Sequence, residues 1–200
     1  MTGSRPLAGV LAVLWCAVVA TGFGMMLDFD FTPGDPGSPP TVWPVDSAIP
    51  RQPGRSNLLM ILHPHCPCSR SSLDELEKIA ARTGDLLGLQ VLLVSPVGAG
   101  ADWAGDESRL RALSIPGVAV FDDIDGVEAG RFNIITSGHT LLYDAAGTLR
   151  FSGGITPSRG HQGDNAGSRA ILSFVDNPSM NQLTTPVFGC LVKVPPTCTP

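Results

Sequence analysis

The stretch His63-Pro64-His65-Cys66-Pro67-Cys68 brings two thiols and two imidazoles close together in the chain. Two chemistries suit that set. A cysteine at a helix N-terminus meets unpaired N–H groups and the positive end of the helix dipole, which favour the thiolate. Cys66, placed just before a helix, is then the more exposed, attacking sulfur, and Cys68, inside the first turn, the resolving one. His63 and His65, when protonated, add positive charge. A disulfide closed across Pro67 alone is tight, and strained disulfides are more easily reduced. The pair therefore suits an oxidant or isomerase better than a strong reductant. The alternative is metal binding. Thiolates and imidazoles suit copper or zinc, with Cys66, Cys68 and His139 as the ligand set and His63 and His65 nearby. Inert structural thiols are the plain alternative to both.

The flanking sequence supplies elements to position these groups. Asn57–Leu62 is a continuous apolar run of strand length, suited to a buried central strand. The helix that follows carries Leu73, Leu76, Ile79 and Ala80 on one face and Asp74, Glu75, Glu77 and Lys78 on the other, with Gly84 as its stop. Gln90–Ser95 reads as a second buried strand, Pro96–Asp106 as a loop, Glu107–Leu113 as a short helix and Val118–Phe121 as a short strand. Gly126–Phe132 makes a helical turn or two. Thr140–Asp144 and Thr148–Ser152 form an antiparallel hairpin. Asn165–Val175 is a last amphipathic helix, with Asp164 as its expected N-cap. The order predicts α/β layers around one mixed sheet. The hairpin leaves the cysteine edge and returns to it, which brings His161 into the same region.

A strand running into two close cysteines and then a helix resembles the thioredoxin fold across residues 57–175. Within that superfamily His63–Arg70 is most similar to the RedB-type membrane-anchored bacterial proteins. Thr136–Asp144, Phe151–Thr156, Gly160–Asn165 and Pro186–Cys190 fit that group too. The resemblance implies a three-layer α/β/α domain with a mixed sheet behind one transmembrane helix, and brings no established reaction. The chain departs from thioredoxin in its Cys-X-Cys spacing. It also lacks the cis-proline expected before the hairpin; Gly138-His139 stands near that place. His139 there contacts the thiolate, completes a metal site, or merely starts a strand. Thioredoxin-like copper chaperones also pair two cysteines with a distant histidine, though their cysteines lie further apart.

The 200 residues suffice for one ordinary domain. A net charge of −5 and scattered arginines give no nucleic-acid footprint. No Gly-rich phosphate loop follows a strand, so no organic cofactor is expected. Leu7–Leu27 has no charged side chain and is long enough to span a bilayer. Arg5 before it and Asp28 and Asp30 after it orient the N-terminus inward. The expected plan is a cytoplasmic stub (1–6), an anchor (7–27), a Pro/Gly-rich stand-off linker (28–54), the domain (55–178) and a cysteine-bearing tail (179–200). The protein is then a single-pass protein of the bacterial inner membrane, its domain in the periplasm or outside the cell and a protein thiol or disulfide as its partner. A signal peptide cleaved after Val18-Val19-Ala20 is the other reading of the first block; both export the domain, where disulfides persist.

The tail carries Cys190 and Cys198. From Val175 to Cys190 the extended chain reaches about 50 Å, whereas the helix it must retrace is about 17 Å long. Val187-Phe188 gives an apolar foothold. Cys190 is therefore expected near the active loop as an extra resolving thiol or ligand, a local Cys190–Cys198 bridge being the competing arrangement.

Overall fold

The computed structural model describes residues 4–98 and 106–193. The N-terminal unit is a single helix, α1 (Ser4–Phe31). Its stretch Leu7–Phe31 is long and apolar enough to cross a membrane. It continues a turn past the expected end at Leu27, because nothing before Pro33 breaks it: Thr32 N–H still donates to the Asp28 carbonyl (2.9 Å).

The remaining unit, from Pro33 onward, is built on one six-stranded sheet. In chain order its elements are β1 (Ser56–Leu62), α2 (Cys68–Thr83), β2 (Leu87–Ser95), α3 (Asp106–Leu113), β3 (Val118–Ile124), α4 (Val127–Arg131), β4 (His139–Tyr143), β5 (Leu149–Gly154), α5 (Ala166–Asp176) and β6 (Leu183–Thr184). The strand order is β3-β2-β1-β4-β5-β6. β1, β2 and β3 run parallel, β4 is antiparallel to β1 with Ile61 opposite His139, and β5 folds back on β4. A central strand covered on both faces must be apolar on both, hence the unbroken run Leu58–Leu62. Leu58, Met60 and Leu62 meet Leu73, Leu76 and Ile79 of α2 and Ile171 and Phe174 of α5. Leu59 and Ile61 face the other way, toward Trp43, Ile49, Ala129 and Phe132. This is the α/β/α layering around a mixed sheet that the resemblance implies.

Four expectations change. Residues 33–50, read as an extended linker with Trp43 and Val45 as candidate contacts, pack on the second face through Trp43 and Ile49, while Val45 is exposed. Trp43 is buried edge-on against Phe132 (5.0 Å) and Tyr143 (5.2 Å). Thr41 and Trp43 pair through their backbones with Leu149 and Gly147. Glu128 of α4 accepts from Ser47 Oγ (2.7 Å) and the Ala48 N–H (3.1 Å). Glu75 does not lie on the solvent face of α2. It is buried beneath the loop after β5, accepting the Gly163 N–H (2.9 Å) and pairing with Lys78 (2.7 Å). The cap of α5 is Asn165, which accepts the Ser168 N–H (2.7 Å), and Asp164 is exposed. β2 and β3 are both longer than expected, since each gains a parallel neighbour along its whole length.

Candidate redox site

The site forms where β1 runs out toward α2. His63 leaves the strand with its N–H on Ser137 Oγ (2.9 Å). Its carbonyl then accepts both the Cys66 N–H (3.0 Å) and Ser69 Oγ (2.9 Å), closing a tight turn. Pro67 caps α2 with φ −58° and ψ −27°, already helical. Proline suits a helix start, where its missing N–H would have had no intrahelical partner. The turn leaves Cys66 just outside the helix and Cys68 as its first residue.

The Cys66 sulfur is the common acceptor of the site. The Cys68 thiol donates to it, as do the Cys190 N–H, the Cys190 thiol and the Cys68 N–H, and together they hold Cys66 well below the ordinary thiol range despite burial. Cys68 moves the other way. Its proton is held on the Cys66 sulfur, and burial and the nearby Cys66 charge add to the rise, against one N–H donated by Gly160. Cys190 is raised as well, by burial first and by Cys66 second. One sulfur thus carries the charge and two neighbours carry protons.

The third cysteine arrives on the tail. A single antiparallel bridge and two backbone hydrogen bonds tie residues 190–192 to the segment just before β4. Thr136 and Leu191 form an antiparallel bridge, the Ser137 N–H donates to the Cys190 carbonyl (2.8 Å), and the Val192 N–H donates to Ile135 (2.8 Å). Val187 and Val192 are buried beneath this path. The approach depends on Gly189, where a Cβ would stand 1.9 Å from the Ser137 carbonyl oxygen. Arg159, on the loop after β5, donates to the Gly189 carbonyl. That loop is strapped to α2 through Glu75, Asp74 and Gln162, which brings Gly160 over Cys68. Cys198 lies outside the described residues.

Several expectations about single residues change here. Cys66 is not the more exposed sulfur: it is 4% exposed and Cys68 8%, because the tail covers the turn. His63 is half-buried and edge-on to His65 (6.1 Å). Burial outweighs the Cys66 charge and pushes its pKa below the ordinary histidine value, so it is a neutral imidazole rather than a cationic helper. His65 and Pro67 are exposed at the mouth of the turn. His139 lies on the same sheet face as Leu141 and Tyr143, the face opposite α2. It is fully buried, its Nε2 bonded to Ser152 Oγ (2.8 Å), near the Pro36 carbonyl, and burial lowers its pKa to about 4. His139 is therefore not brought together with the two cysteines. His161 is exposed, with Nδ1 on the Arg159 carbonyl (2.7 Å). Although Cys66, Cys68 and Cys190 lie together, no group of three or more His, Cys, Asp or Glu among the described residues is arranged to hold a metal ion. Ser137, Arg159, Gly160 and Gly189 were missed as site residues. Their contribution is mostly backbone, and the one readable signal was the small residue beside Cys190.

Beside Cys66 opens a cleft of about 350 Å³, lined by Pro64, His65, Pro67, Arg70, Glu107 and Ser108 among others.

No family model and no curated protein matches the chain. Among solved structures it is similar to an uncharacterized conserved protein from Geobacillus kaustophilus, at 15% identity and a TM-score of 0.60, covering 83% of this chain and 94% of that one. It is also similar to a hypothetical protein from Sinorhizobium meliloti, at 16% identity and a TM-score of 0.57, covering 83% and 96%. An exposed lipoprotein thioredoxin from Streptococcus pneumoniae aligns at 20% identity with a TM-score of 0.43, over 62% of this chain and 84% of that one. The fold is thioredoxin-like. Within it the two cysteines stand where the first core strand meets its helix, and the tail lies against the segment that leads into the hairpin.

Proposed function

We propose that this is a membrane-anchored, extracytoplasmic thiol–disulfide exchange protein of the RedB-type group. Cys66 attacks a protein disulfide through its thiolate, and Cys68 displaces the partner from the mixed disulfide. One observation carries the reading: Cys66 stands immediately before the N-terminus of α2, beside Cys68 and the Cys190 segment, a setting that holds its sulfur well below the ordinary thiol range. The cleft beside Cys66 gives a partner segment somewhere to lie. Arg70 and Glu107, paired across its rim at 3.6 Å, leave it with charge of both signs. The helix α1 supports a single-pass anchor in the bacterial inner membrane with the N-terminus inside.

A stabilised thiolate favours the reduced form, so the disulfide form accepts electrons readily. Exchange is reversible: when Cys66 attacks a partner disulfide it reduces or isomerises that disulfide, and in reverse, the direction a stabilised Cys66 thiolate favours, it oxidises the partner. The test is exchange between the full-length protein in detergent and a disulfide-bonded peptide. Cys66→Ser is expected to abolish exchange, while Cys16→Ser leaves it intact. Exchange surviving in Cys66→Ser would rule the reading out.

A further inference from the structure

The tail does more than cover the site. Before β4, the chain offers the backbone groups of Ile135, Thr136 and Ser137 as an edge beside the cysteine turn, and the tail takes that edge through one antiparallel bridge, Thr136 with Leu191, and two backbone hydrogen bonds. The Thr136–Leu191 bridge and the Ser137 N–H bond to the Cys190 carbonyl lay Cys190 beside the Cys66 sulfur, where each influences the other. Three glycines make room for the path. At Gly153 a Cβ would stand 2.2 Å from Thr185 Oγ1, at Gly154 2.7 Å from the Pro186 carbonyl oxygen, and at Gly189 1.9 Å from that of Ser137. Val187 and Val192 anchor it on either side.

We infer that Cys190 is a third redox thiol, and that the tail is an internal ligand of the strand edge, which lets the Cys66 sulfur form a disulfide with Cys190 as well as with Cys68. The inference rests on the thiol-exchange reading. In the reduced protein the Cys66 thiolate attacks a partner's protein disulfide. A Cys66–partner bond forms, the partner's S–S bond breaks, and its second sulfur leaves as a thiolate. Cys190 then loses its proton to solvent and attacks Cys66 Sγ. The Cys66–Cys190 bond forms, the mixed disulfide breaks, and the partner's first sulfur leaves and takes a proton. Two electrons have passed from Cys66 and Cys190 to the partner. In a protein already oxidised at Cys66–Cys68, the same attack expels Cys68 as the thiolate, with no net oxidation.

Two features favour Cys190 for this step. It sits on an extended segment, whereas Cys68 is fixed in the first turn of α2 with its sulfur under Gly160. A Cys66–Cys190 bond also closes without the tight ring that a single intervening proline imposes. Once formed, it locks the tail onto the strand edge. The locked form holds the edge closed to an incoming partner peptide until a reductant frees Cys190.

Full-length Cys68→Ser in detergent, reduced and then equilibrated with oxidised glutathione, tests this. The thiols are trapped with N-ethylmaleimide under acid and the peptides mapped by mass spectrometry. The expected product is an intramolecular Cys66–Cys190 disulfide, replaced by a Cys66–glutathione mixed disulfide in the Cys68→Ser, Cys190→Ser double variant. Gly189→Val, added to Cys68→Ser, should also shift the product toward the glutathione adduct by displacing the tail. A Cys66–glutathione adduct in the single variant, with Cys190 unmodified or bridged to Cys198, would overturn the inference and leave the thiol-exchange reading standing. A Cys66 that reacts with nothing would overturn both.

Discussion

At the scale of single residues, the site is a contest over one proton. The Cys68 and Cys190 thiols and two backbone N–H groups all aim at Cys66, so the charge settles there and Cys68 stays protonated. Stabilising the thiolate should place the protein's reduction potential on the oxidising side of the roughly −270 mV typical of thioredoxin. Equilibration with glutathione buffers, read by thiol trapping, measures it; a more reducing value would contradict this. Ser137 is the joint between strand, turn and tail, accepting the His63 N–H and donating its own N–H to Cys190. Ser137→Ala leaves the His63 N–H without its acceptor and should cost about 1–3 kcal/mol in urea unfolding. The two cysteines and the sense of the Cys66 shift were legible in the sequence, because a helix start follows them directly. The neutral state of His63 and the burial of Cys66 were not, since burial sets the first and segments distant in sequence, Ser137 and the Cys190 tail, close over the turn.

At the scale of elements, periodicity found what packs by side chains and missed what packs by backbone. Leu58–Leu62 and the Leu73–Ala80 face were readable because burial imposes an apolar pattern on strand and helix. Glu75 broke that pattern unseen, as its partners Gly163 and Asn165 come from a loop. Residues 33–50 read as a spacer from their prolines and glycines, with Trp43 as a candidate contact, and Trp43 and Ile49 do pack on the second face. Trp43→Ala should cost about 3–5 kcal/mol, measured by circular dichroism during urea unfolding; an unchanged midpoint would mean that the segment is a loose linker after all. His139 adds a pH signature to β4. Its folded pKa is depressed from 6.5 to about 4 by burial. Its contribution is therefore complete above pH 6.5 and is lost as pH falls toward 4, about 3 kcal/mol in all. His139→Gln, which keeps a partner for Ser152, should flatten the stability profile across that window.

At the scale of the whole molecule, the chain couples a membrane-length helix to a domain whose two ends both bear on the site face or its reverse. The membrane-length apolar helix was the most legible feature, since length and the absence of charge suffice to read it. The proposed orientation rests on charge alone and is tested directly: an alkaline phosphatase fusion after residue 60 should be active and a cytoplasmic reporter there silent. The tail was legible only as reach. Its chain length allowed Cys190 to come back to Cys66, and strand pairing with residues 135–137 supplied the course that length could not. Everything proposed for the molecule turns on whether Cys66 is a thiolate. The direct measurement is the rate of iodoacetamide modification of Cys66 against pH, followed peptide by peptide on the reduced full-length protein. The pH of half-maximal rate is independent of how far the tail slows access. It should lie well below the roughly 8.5 of a free thiol; a half-maximal rate at or above that value would contradict an activated Cys66.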